Sequence, residues 1–102
     1  MIEEGTPEHN FLETTDFYLG RAKQYLDSFT QDINKCDIEA SLISFRNLNF
    51  YSEKAKQWAN QLSAMGEEDI GKNKWHEAHN LEEKSVDFAI GKGMKCECKP
   101  KE

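Results

Sequence analysis

Apolar and small side chains in the first third of the chain recur at Phe11, Thr15, Tyr18, Ala22, Tyr25 and Phe29, in alternating steps of four and three. A second row, Leu12, Leu19, Leu26 and Ile33, repeats every seven residues and lies beside the first on a helical wheel. Together they make one broad apolar stripe on a long helix. Thr6 is placed to cap it, with Pro7 at the first helical position, where a missing N–H costs nothing, and Glu8 near the positive end of the helix dipole. The pattern predicts a helix over residues 7–34. A second stripe reads Ile38, Leu42, Phe45, Leu48, Tyr51, Ala55, Trp58, Leu62 and Met65, with Asp37 as its cap and Gly66 at the left-handed position beyond it. This predicts a helix over 38–65.

The third pattern is thinner. Trp75, Ala78, Leu81, Ser85, Phe88 and Ala89 predict a helix over 73–90, capped by Asn73 and ended by Gly91 and Gly93. Residues 67–72 then read as a loop broken at Gly71, with Ile70 tucked beneath it. Between Pro7 and Pro100 lie 92 residues without a proline, and the chain has a single valine. Uninterrupted helices are therefore open to it, and the β-branched enrichment of strands is missing. The expected fold is all-α: a small antiparallel three-helix bundle, up-down-up, with the second helix longest and central. Residues 1–93 form one helical domain and 94–102 a flexible Lys-rich tail. Mid-helix Gly20 reads equally well as a close-approach site or as a tolerated surface glycine. The aromatics on the stripes, Tyr18, Tyr25, Tyr51, Trp58 and Trp75, are expected in the core.

Charge sharpens this picture. The 102 residues carry a net charge of −6, distributed as −4 over 1–36, 0 over 37–66, −4 over 67–90 and +2 over 91–102. The neutral middle helix is the one to be flanked on both sides. The acidic balance argues against direct nucleic-acid binding, which needs clustered Lys and Arg. No apolar run approaches the length of a membrane span. Met1-Ile2-Glu3-Glu4 lacks the basic and apolar regions of a secretory signal. With three cysteines, an odd number, the expectation is reduced thiols in the cytoplasm.

Candidate chemistry is sparse. His76 and His79 share a helix face, and Cys96 and Cys98 follow on the tail. Two imidazoles and two thiolates suit tetrahedral zinc, so these four are the candidate metal ligands, against the simpler reading of two exposed histidines and a loose tail. The metalloprotease spacing is absent, because the second His comes one residue early. Neither His stands three residues after a Glu, as a di-iron bundle requires. Cys36 lies in a turn beside Asp37, which disfavours a thiolate, and reads as a small filler rather than a nucleophile. The six glycines form no phosphate-binding loop. Residues 18–56 resemble in part the helical hairpins of the HEPN superfamily, but no His follows Arg46 at the spacing of that superfamily's ribonuclease motif. The hairpin at Leu19-Gly20 resembles a tetratricopeptide unit, yet Lys23 and Asp32 stand where that pattern has an aromatic and a small residue.

No catalytic residue and no cofactor are expected. The chain reads as a non-enzymatic acidic protein that acts on another protein as adaptor or regulator. Phe17, Ile43 and Phe50 fall off the main stripes and are candidate contacts, for a partner or for a homodimer. Glu67, Glu68, Asp69, Glu77, Glu82, Glu83 and Asp87 form an acidic surface suited to a partner with a basic face. Two alternatives accompany this reading: inhibition of a nucleic-acid-binding protein by charge mimicry, and a small zinc protein built on His76, His79, Cys96 and Cys98.

Overall fold

The computed structural model describes residues 5–94. They form three helices, α1 (Pro7–Asn34), α2 (Ile38–Ala64) and α3 (Glu68–Met94), packed as an antiparallel three-helix bundle with α2 against both neighbours. The molecule is elongated, 56 × 19 × 16 Å. The predicted caps form. The Thr6 side chain accepts from the His9 N–H at 3.2 Å, and the Asp37 side chain accepts from the Ala40 N–H at 3.2 Å.

Both interhelical turns have the same construction. After α1, Cys36 adopts φ +56°, its N–H reaches the Ile33 carbonyl at 3.0 Å, and the Asp37 N–H reaches the Asp32 carbonyl at 2.9 Å. After α2, Gly66 adopts φ +98°, its N–H reaches the Ser63 carbonyl at 3.1 Å, and the Glu67 N–H reaches the Leu62 carbonyl at 3.0 Å. Each is a Schellman motif, which satisfies the carbonyls left over at a helix end and reverses the chain within three residues. Gly66 occupies the left-handed position without steric cost, whereas Cys36 does so with a side chain. Cys36 is disulfide-bonded, contrary to the reduced thiols expected. The other two cysteines lie outside the described residues.

Three details differ from the sequence reading. The second helix is not the longest: α1 has 28 residues and α2 and α3 have 27 each. α3 starts at Glu68 rather than Asn73, since Glu68 and Asp69 suit a first helical turn and Gly71 is helical instead of a breaker. It also runs through Gly91 to Met94 instead of ending near Ile90. The remainder of the expected tail lies outside the described residues.

The role of Gly71 is contact. A Cβ there would stand 2.7 Å from the Ala59 carbonyl oxygen, 2.9 Å from the Ser63 nitrogen, and against Ser63 Oγ. Glycine lets α3 press its first turn onto the backbone of α2. Around Gly20, by contrast, a Cβ would meet nothing within 4 Å, so this is a surface glycine.

The core alternates leucine with small residues. Leu19, Ala22, Leu48, Ala55, Ala78 and Leu81 form its centre, with Tyr18, Tyr25, Leu26 and Tyr51 packed against it. The aromatics expected inside are half-buried along the rims. Thr15, Ser41, Ser44, Ser52 and Ser85 are buried between the helices. Their hydroxyls mostly donate to a carbonyl of the preceding turn, as Thr15 does to Phe11 at 2.7 Å and Ser85 to Glu82 at 2.7 Å. Ser44 instead donates to the Asp32 carboxylate at 2.9 Å. No buried side-chain polar atom among the described residues lacks a partner, so the burial carries no desolvation penalty left unmatched.

Candidate partner-binding surface

Four large aliphatic side chains remain exposed where the N-terminal half of α2 faces the C-terminal half of α3: Ile38 (50%), Leu42 (53%), Val86 (43%) and Ile90 (53%). They are the walls of a groove of about 380 Å³ that also involves Phe45 and Ala89. Buried Phe29 and Ile33 of α1, with Ser41, supply its floor. No charged side chain lines it. The reason is local: the stripe of α2 continues to its first residue, Val86 and Ile90 extend the stripe of α3, and α1 alone is too narrow to cover both.

At Val86 the groove passes into a second cleft of about 450 Å³, lined by Asn49, His79, Glu82, Glu83, Val86 and Asp87. The furrow between α2 and α3 is thus apolar at one end and acidic further along. Its acids differ in what they have available. Glu82 is tied inward, bonded to Lys56 Nζ at 3.0 Å and accepting from the Ser52 hydroxyl at 2.9 Å. Glu83 meets His79 Nε2 at 2.9 Å through one carboxylate oxygen. Asp87 forms no ion pair with any described residue.

Lys56 holds this region together. Its ammonium also contacts Glu53 at 3.3 Å and His79 Nδ1 at 3.4 Å, and lies 4.9 Å from the centre of the Trp75 ring. Burial disfavours its charge, but the hydrogen bonds and charges of Glu82 and Glu53 outweigh that and raise its pKa above the usual 10.5.

The two histidines flank one indole, His79 stacked on Trp75 at 5.0 Å and His76 edge-on at 5.3 Å. Both nitrogens of His79 are engaged, and no group of three or more His, Cys, Asp or Glu among the described residues is placed to hold a metal. Cys96 and Cys98, the thiols of the zinc alternative, lie outside those residues. Glu67, Glu68 and Asp69 sit at the start of α3, remote in sequence from the furrow, and Glu77 is exposed on the same helix.

Phe17 (55%) on α1 and Ile43 (60%) and Phe50 (54%) on α2 are exposed, as expected, but none of them lines the furrow. Phe17 and Phe50 end a row of rings, Phe17–Tyr18–Tyr51–Phe50, with successive centroids 5.5, 6.0 and 5.2 Å apart. Arg21 covers Phe17 at 5.5 Å and Lys54 covers Phe50 at 5.7 Å, so each outer ring is partly shielded by a cation of its own helix.

Ile38 and Leu42 have the periodicity of core residues in the sequence, and Val86 and Ile90 lie outside the α3 stripe that the sequence displays. The signal lay in two stripes that both run to the same end of the bundle with only one helix to cover them. Fold and furrow together define a small all-α protein whose distinctive surface is an aliphatic groove continued by acid. The chain matches no family model, and no curated protein and no solved structure is detectably similar to it. Among the described residues no helix is long and apolar enough to cross a membrane.

Proposed function

We propose that this chain is a non-enzymatic helical protein that works by binding another protein, and that the furrow between α2 and α3 is where it does so. The observation that carries the reading is the convergence of Ile38, Leu42, Val86 and Ile90 on one groove without a charged lining. Scattered exposed hydrophobics are ordinary, but a contiguous apolar patch rimmed by polar groups marks an interaction surface. The ionisable groups that meet nearby, Lys56, Glu82 and His79, are bonded to one another, which suits a structural brace better than a reaction centre.

Burying an aliphatic side chain fully is worth about 1.5–3 kcal/mol. Roughly half of each wall residue is already covered, so sealing the four contributes about 3–6 kcal/mol. Micromolar affinity needs about 8 kcal/mol net of association costs. The apolar end alone falls short, and a stable partner must also engage the acidic continuation. That supports a partner with a basic face, the charge-mimicry alternative included. The disulfide at Cys36 favours an oxidising setting over the cytoplasm expected from sequence.

The test is affinity capture from the native host with wild type, Leu42→Lys and Phe50→Lys as baits, and identification by mass spectrometry. One identified protein retained by wild type and Phe50→Lys but lost with Leu42→Lys is the expected result. Loss with Phe50→Lys alone would move the site to the aromatic row.

A further inference from the structure

We infer that the occupant of the furrow is an amphipathic helix of a partner protein, carrying aliphatic residues on one face and Lys or Arg on the flank of that face. The inference rests on the proposed function and names the chemistry of the partner.

Shape comes first. The furrow is a trough between two antiparallel helices, followed on α3 from Ile90 at one end to His79 at the other. The eleven steps between these two residues, at 1.5 Å rise each, span about 16 Å, or three turns. That is the length of a short helix laid into the trough, its side chains entering between the ridges of α2 and α3. A further helix would extend the bundle by the packing that already holds it.

Charge then selects the helix. Lys56 is committed to Glu82 and Glu53, Glu83 meets His79 through one carboxylate oxygen, and Asp87 forms no ion pair with any described residue. An incoming aliphatic face therefore arrives beside Asp87, unpaired among the described residues, and the second carboxylate oxygen of Glu83. Lys or Arg at that flank gains from them, and Asp or Glu is repelled.

Two other occupants fit less well. Residues 95–102, Lys-Cys-Glu-Cys-Lys-Pro-Lys-Glu, contain no aliphatic or aromatic side chain apart from the proline ring with which to fill the groove. A second copy of the chain would bring the same acidic flank and the same net charge of −6 to the interface.

The experiment uses the full chain and three synthetic helical peptides of about three turns: Leu face with Lys flanks, Leu face with Glu flanks, and Lys flanks with Ser replacing Leu. Binding is read by fluorescence anisotropy at low and high salt, against wild type, Leu42→Ser and the double variant Glu83→Lys/Asp87→Lys. These positions are surface-exposed, and circular dichroism checks that each variant keeps its helices. The Leu/Lys peptide is expected to bind about tenfold more tightly than Leu/Glu at low salt, the gap narrowing as salt rises. Leu42→Ser weakens both Leu peptides, and Glu83→Lys/Asp87→Lys reverses the preference. Equal binding of Leu/Lys and Leu/Glu, both lost with Leu42→Ser, overturns the basic-partner inference and leaves the groove standing. Binding of no Leu peptide, or binding indifferent to Leu42→Ser, overturns the groove itself. Equal binding of the Ser peptide reduces the contact to charge alone. Sedimentation as a dimer that Leu42→Ser dissociates would hand the furrow to a second copy.

Discussion

Replacing Gly71 by Ala tests the close approach of α3 to α2 with a single carbon. In an unobstructed helix the change stabilises by about 1 kcal/mol, because Ala loses less backbone freedom on folding. Here the new Cβ would lie 2.7 Å from the Ala59 carbonyl oxygen and 2.9 Å from the Ser63 nitrogen, as well as against Ser63 Oγ. A hydroxyl can rotate away, but two backbone atoms of a packed helix cannot, so the helices must separate locally. Overpacking of this kind costs about 1–3 kcal/mol, and with backbone in the way the upper part of that range applies. The net expectation is a loss of about 1–2 kcal/mol after the helix-propensity gain is subtracted. Gly20→Ala is the internal control: nothing within 4 Å opposes it, so the full gain should appear. For a domain of this size 1 kcal/mol moves the melting temperature by about 4–8 °C. Thermal and urea unfolding followed by far-ultraviolet circular dichroism should therefore show Gly20→Ala melting above wild type and Gly71→Ala below it. Adding Ser63→Ala to Gly71→Ala should restore little, since the backbone contacts remain. A Gly71→Ala protein as stable as Gly20→Ala would refute the contact.

Two further outcomes follow from the polar and covalent ties. Because the pKa of Lys56 is raised in the fold, its ion pairs contribute fully below its ordinary value of 10.5 and are lost as pH climbs through the higher folded value. The urea midpoint should therefore fall more steeply above that pH in wild type than in Lys56→Met, and at neutral pH Glu82→Ala should cost about 1–3 kcal/mol against about 0–1 for exposed Glu53→Ala. Thiol titration of the denatured, unreduced chain should find one thiol, three cysteines less the two of one disulfide, and three after reduction; three from the outset would contradict the bond at Cys36.

Much of the fold was legible because local and global signals agreed. Thr6, Pro7 and Asp37 each satisfy a helix N-terminus as their chemistry requires, and Gly66 takes the left-handed position its lack of Cβ permits. Gly71 carries an ambiguous signal because glycine serves two physical ends. It ends helices by adopting positive φ and permits close packing within them, and only the neighbour in space decides which. Cys36 shows the converse, a residue with a side chain doing a glycine's conformational work. Tyr18, Tyr25, Tyr51, Trp58 and Trp75 lie shallower than their spacing suggests because periodicity identifies a face and not a depth. Ala22, Ala55, Ala59 and Ala78 bring the backbones close and push large rings to the rim. The same blindness hid the furrow: Ile38 and Leu42 have the spacing of core residues, and their exposure depends on where other helices stop.

A seam made of Ala, Ser and Thr also reshapes the usual relation between a position's depth and its tolerance of change. Where cores are filled with Leu and Phe, shaving atoms is the common injury. Here Ala22, Ala55, Ala59, Ala78, Ser52 and Ser85 have almost no atoms to shave, and growth by a methyl or two is the injury instead. Drift at these sites is confined to exchanges among the smallest residues, and the larger ones at the surface, where any partner is chosen, keep the freedom to vary.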